Sequence, residues 1–473
     1  MATSIIEQEP KYYSLPVGQP IIFVISNDTA VANESNVMFF ADVHISSEGP
    51  PNLSVGDKII GRFQTTPNNK GVGMFDFSSV VENFVSADVG ASPNAKHDEF
   101  GAASATLNES YPIHIIDKYS YSLNSVRFMK IQFGVQYLDT TSTPPAVVVD
   151  TTTLVNTTGT YKLMNGYLKE TDELETTSTK FGYNIISKFA LATTSKSFLS
   201  NMPTTLYCDI DDYGTIAMYT PNSTSGGFTH MELEYVWGDG SGSQTVDVNR
   251  GNGNGAWAAW SLIATNCQLY FSPFPANLNA WEPIFQGEYT SGKIKGGLIR
   301  VRAMNGVQQY SKQYTIKVNC DEEKGYEPIR LAWLNQWGAY DYWTFNKKSI
   351  NSINSSPTTW NQLSGTWGES KYAPRWQGGE KNLRMNSKER YRINTDFIGE
   401  EYNVMFEEMI NSPIVYKIRP YHLTNFNYAH NSKLVQSVRV LTNSFTKKTR
   451  ANDKLIQYGF EIELSKTLKT QSV

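Results

Sequence analysis

Apolar and polar residues alternate with a period of two along most of this chain. The runs Pro20–Ser26 (PIIFVIS), Asn36–Ile45 (NVMFFADVHI), Asp57–Gln64 (DKIIGRFQ), Tyr111–Asp117 (YPIHIID) and Ser125–Tyr137 (SVRFMKIQFGVQY) are short and separated by Gly, Pro, Asn and Ser. Each predicts a half-buried strand. The segment FDFSSVVENFV, Phe75 to Val85, breaks the alternation and predicts a short helix, with Asp76 or Ser78 as cap and Val80, Val81 and Phe84 turned inward. Ser86–Ser110 and Thr140–Thr160 are polar and aperiodic, which predicts loops or extended arms long enough to be packed by a partner.

A second alternating region starts near Phe198 with FLSNMPTTLYCDIDDYGTIAMY and HMELEYVWG. The glycines of GDGSGSQTVDVNRGNGNG read as flexible turns, because no strand, Gly-loop and helix succession follows that would cradle a phosphate. Leu298–Val318 reads as a hairpin: Ile299, Val301 and Ala303 alternate with arginines, Tyr314, Ile316 and Val318 alternate with polar residues, and Asn305-Gly306 predicts a type I′ turn.

The third region opens on Glu327–Ser349, which holds three tryptophans, two tyrosines and a phenylalanine in 23 residues. Ile329, Leu331 and Trp333 share one face of a strand, Asn335–Gly338 turns, and Tyr340, Tyr342 and Thr344 alternate with Asp341, Trp343 and Phe345. Core packing is the default expectation for Trp333 and Trp343. Trp360, Trp367 and Trp376 fall in a Gly/Ser/Pro-rich segment read as an irregular loop, and are the candidates for an interface. Tyr402, Met405, Phe406, Met409 and Ile410 then form one stripe of a helix, with Glu400 and Glu401 in its first turn and Ser412-Pro413 ending it. Two further strands enclose the basic turn TKKTRANDK.

The pattern predicts a mainly β protein, with tandem antiparallel β-sandwich (Ig-like or fibronectin-like) domains followed by a C-terminal α+β domain of one helix on an antiparallel sheet. The expected divisions are an N-terminal arm at 1–13, sandwiches at 14–196 and 197–324, and the α+β domain at 325–473.

Composition supports strands and turns: charged residues make up only 18% of the 473 residues, aromatics 13%, and Ser, Thr, Asn and Gly abound. The formal net charge of -4 exerts no global pull on nucleic acid or anionic lipid. Its distribution is uneven: residues 1–326 hold 21 Lys+Arg against 32 Asp+Glu, a net of -11, and residues 327–473 hold 20 against 13, a net of +7. That asymmetry fits ordinary variation between domains or copies stacked with unlike ends facing. Cys208, Cys267 and Cys320 are too few for a disulfide framework and read as small buried residues. The first residues lack a leader's pattern and no run of about 18 apolar residues occurs, which predicts a soluble protein made in the cytoplasm without membrane insertion. The sequons at Asn27, Asn108 and Asn222 follow from the Asn, Ser and Thr content.

No catalytic constellation emerges. His44, His97, His114, His230, His422 and His430 show no metal spacing, so neither a cofactor nor a small-molecule substrate is expected. DIDDYG, Asp209–Gly214, has Tyr213 at the fifth position of a would-be calcium loop and Thr220 where a bidentate Glu belongs, and reads as a turn. His97–Glu99 reads as a solvated loop. The basic turn of Lys447, Lys448, Arg450 and Lys454 is either a solvated tip or a charge contact to an acidic neighbour, and no sequence-specific nucleic-acid surface is expected.

The succession VRAMNGVQQYSKQYTIKVNC, EPIRLAWLNQWGAYDYWTF, RYRINTDFIGEEYNVMFEEMINSPIVYKI and NDKLIQYGFEIELS resembles virion structural proteins of tailed bacteriophages of marine bacteria and Bacteroidetes, including crAss-like phages. The resemblance is strongest over Leu298–Ser465; in the first 200 residues only the β texture and GVGMFDFSSVVENFV share it. It implies a non-enzymatic tail, baseplate or neck component located in the virion, contacting other virion proteins and forming a homo-oligomeric ring or sleeve. The alternative expectation is a carbohydrate-binding adhesin at the tail tip, using the exposed tryptophans.

Overall fold

The computed structural model describes all residues except 1–2, 48, 54–58, 91–111, 178–179, 221–226, 250–267, 321–325, 366–374, 421–434, 451–454 and 470–473. Strands account for 48% and helices for 13%, so the protein is mainly β, as its alternation predicts. The chain forms two compact units: Met1–Cys320 with Leu334–Asp341, and Asp321–Trp333 with Tyr342–Val473.

The first unit begins with strands β1 (Ile5–Gln8), β2 (Ser14–Gly18), β3 (Ile22–Ser26), β4 (Ser35–Ser46), β5 (Ile59–Thr65), β6 (Val72–Asp76), β7 (Tyr119–Tyr121), β8 (Val126–Asp139), β9 (Ala146–Asn156) and β10 (Tyr161–Tyr167). They build one sheet of order β1-β3-β6 and another of order β2-β10-β8-β4-β5, with β9 also paired to β8. Inward residues of both sheets, among them Phe23, Ile25, Phe39, Phe75, Ile131, Phe133 and Leu163, form one core. The Phe23 ring lies 5.5 Å from Phe133 and 5.4 Å from Tyr161. One strand pair is parallel, β2 with β10; its neighbours are antiparallel. This is an immunoglobulin-like sandwich.

After the short hairpin β11 (Glu175–Thr176) and β12 (Phe181–Gly182) come β13 (Thr205–Cys208), β14 (Ile216–Tyr219), β15 (His230–Val236), β16 (Ser243–Asn249), β17 (Gln268–Phe271), β18 (Leu298–Asn305), β19 (Gln308–Gln309) and β20 (Tyr314–Val318). The order β13-β20-β18-β15-β16, again with a parallel pair between β13 and β20, repeats that of the first sandwich without a visible sequence repeat. The accompanying sheet is β14-β17-β7, so its third strand comes from the chain between β6 and β8. Tyr119 in β7 donates to the Val248 carbonyl of β16 at 2.6 Å. Buried Asp88 accepts from the amides of Leu123 and Asn124 at 2.8 and 2.6 Å and from Tyr270 OH on β17 at 2.9 Å.

Several expectations are corrected here. The boundary at 196/197 is crossed by the β7–β17 pairing, and residues 14–196 and 197–320 belong to one unit. The N-terminal arm is not free, because β1 pairs with β3 and Lys11 bonds Glu175 at 2.8 Å. Thr140–Thr160 contains β9: its Thr and Val residues favour extended backbone although most are exposed. Ile113–Ile115, expected as strand, is a 3₁₀ turn after Pro112. In the hairpin after β18, Asn305 is the last strand residue and Gly306 alone has positive φ (+56°), the pattern of a type II′ turn. Cys320 is exposed, whereas Cys208 is buried and Cys267 lies outside the described residues. The helix expected after Phe75 is present at Ser78–Val81, with Asp76 accepting from the Ser78 amide at 3.0 Å.

Leu334–Asp341, the turn of the aromatic hairpin, belongs to the first unit. The Asn335 side chain closes the turn by accepting from the amides of Trp337 and Ala339 at 2.9 and 3.1 Å. Gly338 has φ of +73° and lies against Asn165, where a Cβ would come within 1.8 Å of the carbonyl oxygen. Trp337 is buried, 4.8 Å from the Phe189 ring and 5.4 Å from Tyr183, and its indole N–H donates to Asn201 at 3.2 Å.

The second unit is one sheet of β21 (Ile329–Leu334), β22 (Tyr340–Phe345), β23 (Ile350–Gln362), β24 (Gly379–Asn394), β25 (Val415–Ile418), β26 (Val435–Val440), β27 (Gly459–Leu464) and β28 (Leu468–Lys469). Its order is β22-β21-β25-β26-β27-β24-β23, with β28 beside β24. The expected helix, Asn403–Asn411, lays Met405, Phe406 and Met409 against it. Phe406 lies 5.4 Å from Trp343 and 5.5 Å from Phe460. Trp333 and Trp343 are core residues as expected, but β21 and β22 are buried along both faces rather than one. Replacing Trp337 by Ala removes a buried indole and its hydrogen bond to Asn201; an equilibrium denaturant titration should show a loss of about 3–5 kcal/mol.

Candidate interaction surface

Strands β23 and β24 pair from Ile350↔Arg392 to Gln362↔Gly379 and form a ribbon about 40 Å long. Only its base is part of the wider sheet: β27 pairs with Arg390–Asn394 and β28 with Asn386 and Ser387. Beyond Asn386, β24 has no third strand among the described residues, and β23 is an edge along its whole length. The sequence explains why no core forms there. Ile350–Gln362 (INSINSSPTTWNQ) contains no charge and is dominated by Asn, Ser and Thr, so it is extended but offers little to bury. Pro357 fits such an edge, since no neighbour requires its missing N–H.

Opposed residues of an antiparallel pair share a face. One face therefore carries Ile350, Ser352, Asn354, Ser356 and Thr358 from β23 and Arg392, Arg390, Lys388, Asn386 and Arg384 from β24. The register shift after Thr358 leaves Leu383 as the extra residue and sets Lys381 across from Trp360. Lys381 Nζ also donates to the Trp376 carbonyl at 3.3 Å. The ribbon thus presents five cations in β24 beside an uncharged strand, with tryptophans at its far end. Gly378 (φ +83°) lets the returning strand pass Ser364, whose Oγ a Cβ would meet at 1.8 Å.

Trp360 was expected in an irregular loop; it stands in a regular strand and is 37% exposed, while Trp376 is 73% exposed. Trp367 lies outside the described residues. The structure does not join the basic turn to these tryptophans as one element. Lys447 pairs with Glu407 at 2.9 Å, Lys448 Nζ donates to the Gln457 carbonyl at 2.7 Å, and the Arg450 amide donates to Glu400, so the turn is folded onto the unit's own helix. The alternating cations Arg384, Lys388, Arg390 and Arg392 were missed, although their period-two spacing beside a charge-free segment was readable.

At the ribbon's base, Glu463 of β27 is 2% exposed and takes Lys388 at 2.9 Å, Arg390 at 2.8 Å and Arg439 at 3.3 Å. Its bond from Lys388, and then that from Arg390, hold the carboxyl below the ordinary glutamate range against the opposing effect of burial. Arg384 and Arg392 have no ion pair among the described residues. Elsewhere, the carboxylates of DIDDYG are engaged by the chain: Asp212 accepts the Asp209 amide at 2.7 Å, and Asp209 accepts Asn319 at 2.6 Å. Among the described residues no group of three His, Cys, Asp or Glu residues could hold a metal ion, and no helix is long and apolar enough to cross a membrane. His97–Glu99 lies outside the described residues.

These sandwiches define an immunoglobulin-like architecture shared by many unrelated proteins. No family model matches the sequence, and no curated protein matches it. Among solved structures, Escherichia coli α2-macroglobulin is similar over 82% of this chain and 22% of its own, at 9% identity and a TM-score of 0.17. Salmonella α2-macroglobulin is similar over 100% of this chain and 30% of its own, at 7% identity and a TM-score of 0.18. The chain thus spans less than a third of either protein.

Replacing Glu463 by Gln leaves three cations around a neutral group and should lower stability by about 2 kcal/mol at neutral pH. Because the folded carboxyl titrates below the ordinary glutamate value, its contribution is full above that value and is lost as pH falls through the folded one. Denaturant titrations of both proteins across acidic pH should converge at the low end.

Proposed function

We propose that this chain is a non-enzymatic structural subunit of a tailed-phage virion, in its tail, baseplate or neck, acting through repeated contacts between subunits. The observation that carries this reading is the β23–β24 ribbon, where Ile353 (62%) in β23 and Leu363 (80%) and Trp376 (73%) just past the paired strands are exposed, and which among the described residues has no packed face beyond its base. A two-stranded ribbon is marginal in water, so a partner that buries it supplies what the chain's own sheet does not. The sequence resemblance to virion proteins supports the same reading, as its strongest part includes the sheet that bears the ribbon. Rigid sandwiches set spacing in such a subunit, and the ribbon latches a neighbour.

The exposure of Trp360 and Trp376 at one end of the ribbon favours a second reading, a carbohydrate-binding adhesin. A glycan array of the full chain separates the two: specific binding lost on replacing Trp360 and Trp376 by Ala supports the adhesin, and no binding counts against it.

The structural reading predicts self-association of the purified chain, or its capture by other virion proteins, in sedimentation velocity over about a hundredfold concentration range. Replacing Trp360 and Trp376 together by Ala should weaken that association about tenfold or more without changing the unfolding midpoint. A chain that stays monomeric and binds no virion protein contradicts the reading.

A further inference from the structure

The partner of the ribbon is readable from charge. We propose that the basic face of β24 docks on the acidic surface of the first unit of a second copy of this chain, a head-to-tail contact. This rests on the assembly reading above and names its interface. Arg384 and Arg392 share that face with Lys388 and Arg390; the latter two are held by Glu463, while the former two have no ion pair among the described residues. Strand β23 contributes no carboxylate to offset them, and Glu461 of β27, across from Arg392, makes no ion pair with it.

A fitting surface is present on the same chain. Residues 1–326 carry 21 Lys+Arg against 32 Asp+Glu, a net of -11. The exposed turn KETDELET, Lys169–Thr176, concentrates four of those acids. Asp172 is tied to the Lys169 amide at 2.8 Å and Gln336 at 2.6 Å. Glu175 is tied to Lys11 at 2.8 Å and Asn184 at 3.2 Å and is held at about 2, first by its bond from Lys11. These contacts fix the turn, while Glu170 and Glu173 are exposed and have no ion pair among the described residues. Leu174, next to Glu173 and 40% exposed, gives the turn an apolar contact for the Ile350 and Trp360 side of the ribbon.

A nucleic acid would also meet a row of cations, but the chain has a net charge of -4 with the excess of acids in the other unit, which repels a phosphate backbone. The same excess attracts a copy's ribbon. Two different patches on each copy make the contact heterologous, so it propagates into a ring or an open stack.

The test is a charge swap in the full-length protein. One variant carries Arg384→Glu and Arg392→Glu; the other carries Glu170→Lys and Glu173→Lys. Each alone should self-associate at least about tenfold more weakly than the unaltered chain in sedimentation velocity at low salt, and raising ionic strength should weaken the unaltered chain likewise. Mixed, the two variants should associate with each other, because the acidic ribbon of one meets the basic turn of the other. That rescue also shows that both variants fold. Association that ignores the substitutions and salt overturns this interface and leaves the assembly reading standing. Absence of any association in the unaltered chain, alone or with virion proteins, overturns both. Binding of single-stranded DNA by the ribbon, lost in the Arg variant and unaccompanied by self-association, overturns it in favour of a polyanion partner.

Discussion

A two-stranded ribbon leaving its sheet has no second layer to bury against, and the rest of the second unit is organised around holding one. The hold is electrostatic at the base: Glu463, almost fully removed from solvent, is surrounded by Lys388, Arg390 and Arg439 from two neighbouring strands. A buried carboxylate is costly unless paired, and here the pairing residues come from β24 and β26, so satisfying Glu463 fixes the register of the strand that continues outward. On the opposite face, Tyr391 and Ile393 are buried, across from Ile462 and Phe460 of β27. Past Asn386 both supports end, and the strands continue by pairing with each other.

The tryptophans divide by this same constraint. Trp333 lies in β21 between β22 and β25, Trp343 in the end strand β22 packs on Phe406 of the helix, Trp337 sits in a turn closed by Asn335 and packed on Phe189, and all three are buried. Trp360 in the ribbon and Trp376 just before its returning strand are exposed. The crowding of aromatics after Glu327 therefore records two different things, a core and a surface, which follow one another along the chain.

The strands whose alternation carried large apolar residues were legible: β4, β8, β18 and β27 stand where the period placed them, as does the helix Asn403–Asn411. Strands β9 and β23 were not, because their inward-facing signal is weak or absent; one is Thr- and Val-rich, the other Asn- and Ser-rich. The insertion of β7 into the β14-β17 sheet was invisible for another reason, since pairing between residues about 150 apart leaves no local pattern. At the candidate surface, sequence singled out Trp360 and Trp376 by type and placed Trp376 outside a strand, as found, but misjudged Trp360, which stands in β23. It overlooked Arg384 and Arg392, whose meaning depends on the uncharged strand beside them.

The central claim is that the ribbon is a contact surface between subunits. Hydroxyl-radical footprinting of the free chain and of the chain in its assembled state, read residue by residue by mass spectrometry, tests it most directly. The account predicts that Trp360, Leu363 and Trp376 are modified readily in the free chain and protected on assembly, with buried Trp337 protected in both. Equal modification of the ribbon in the two states would contradict it.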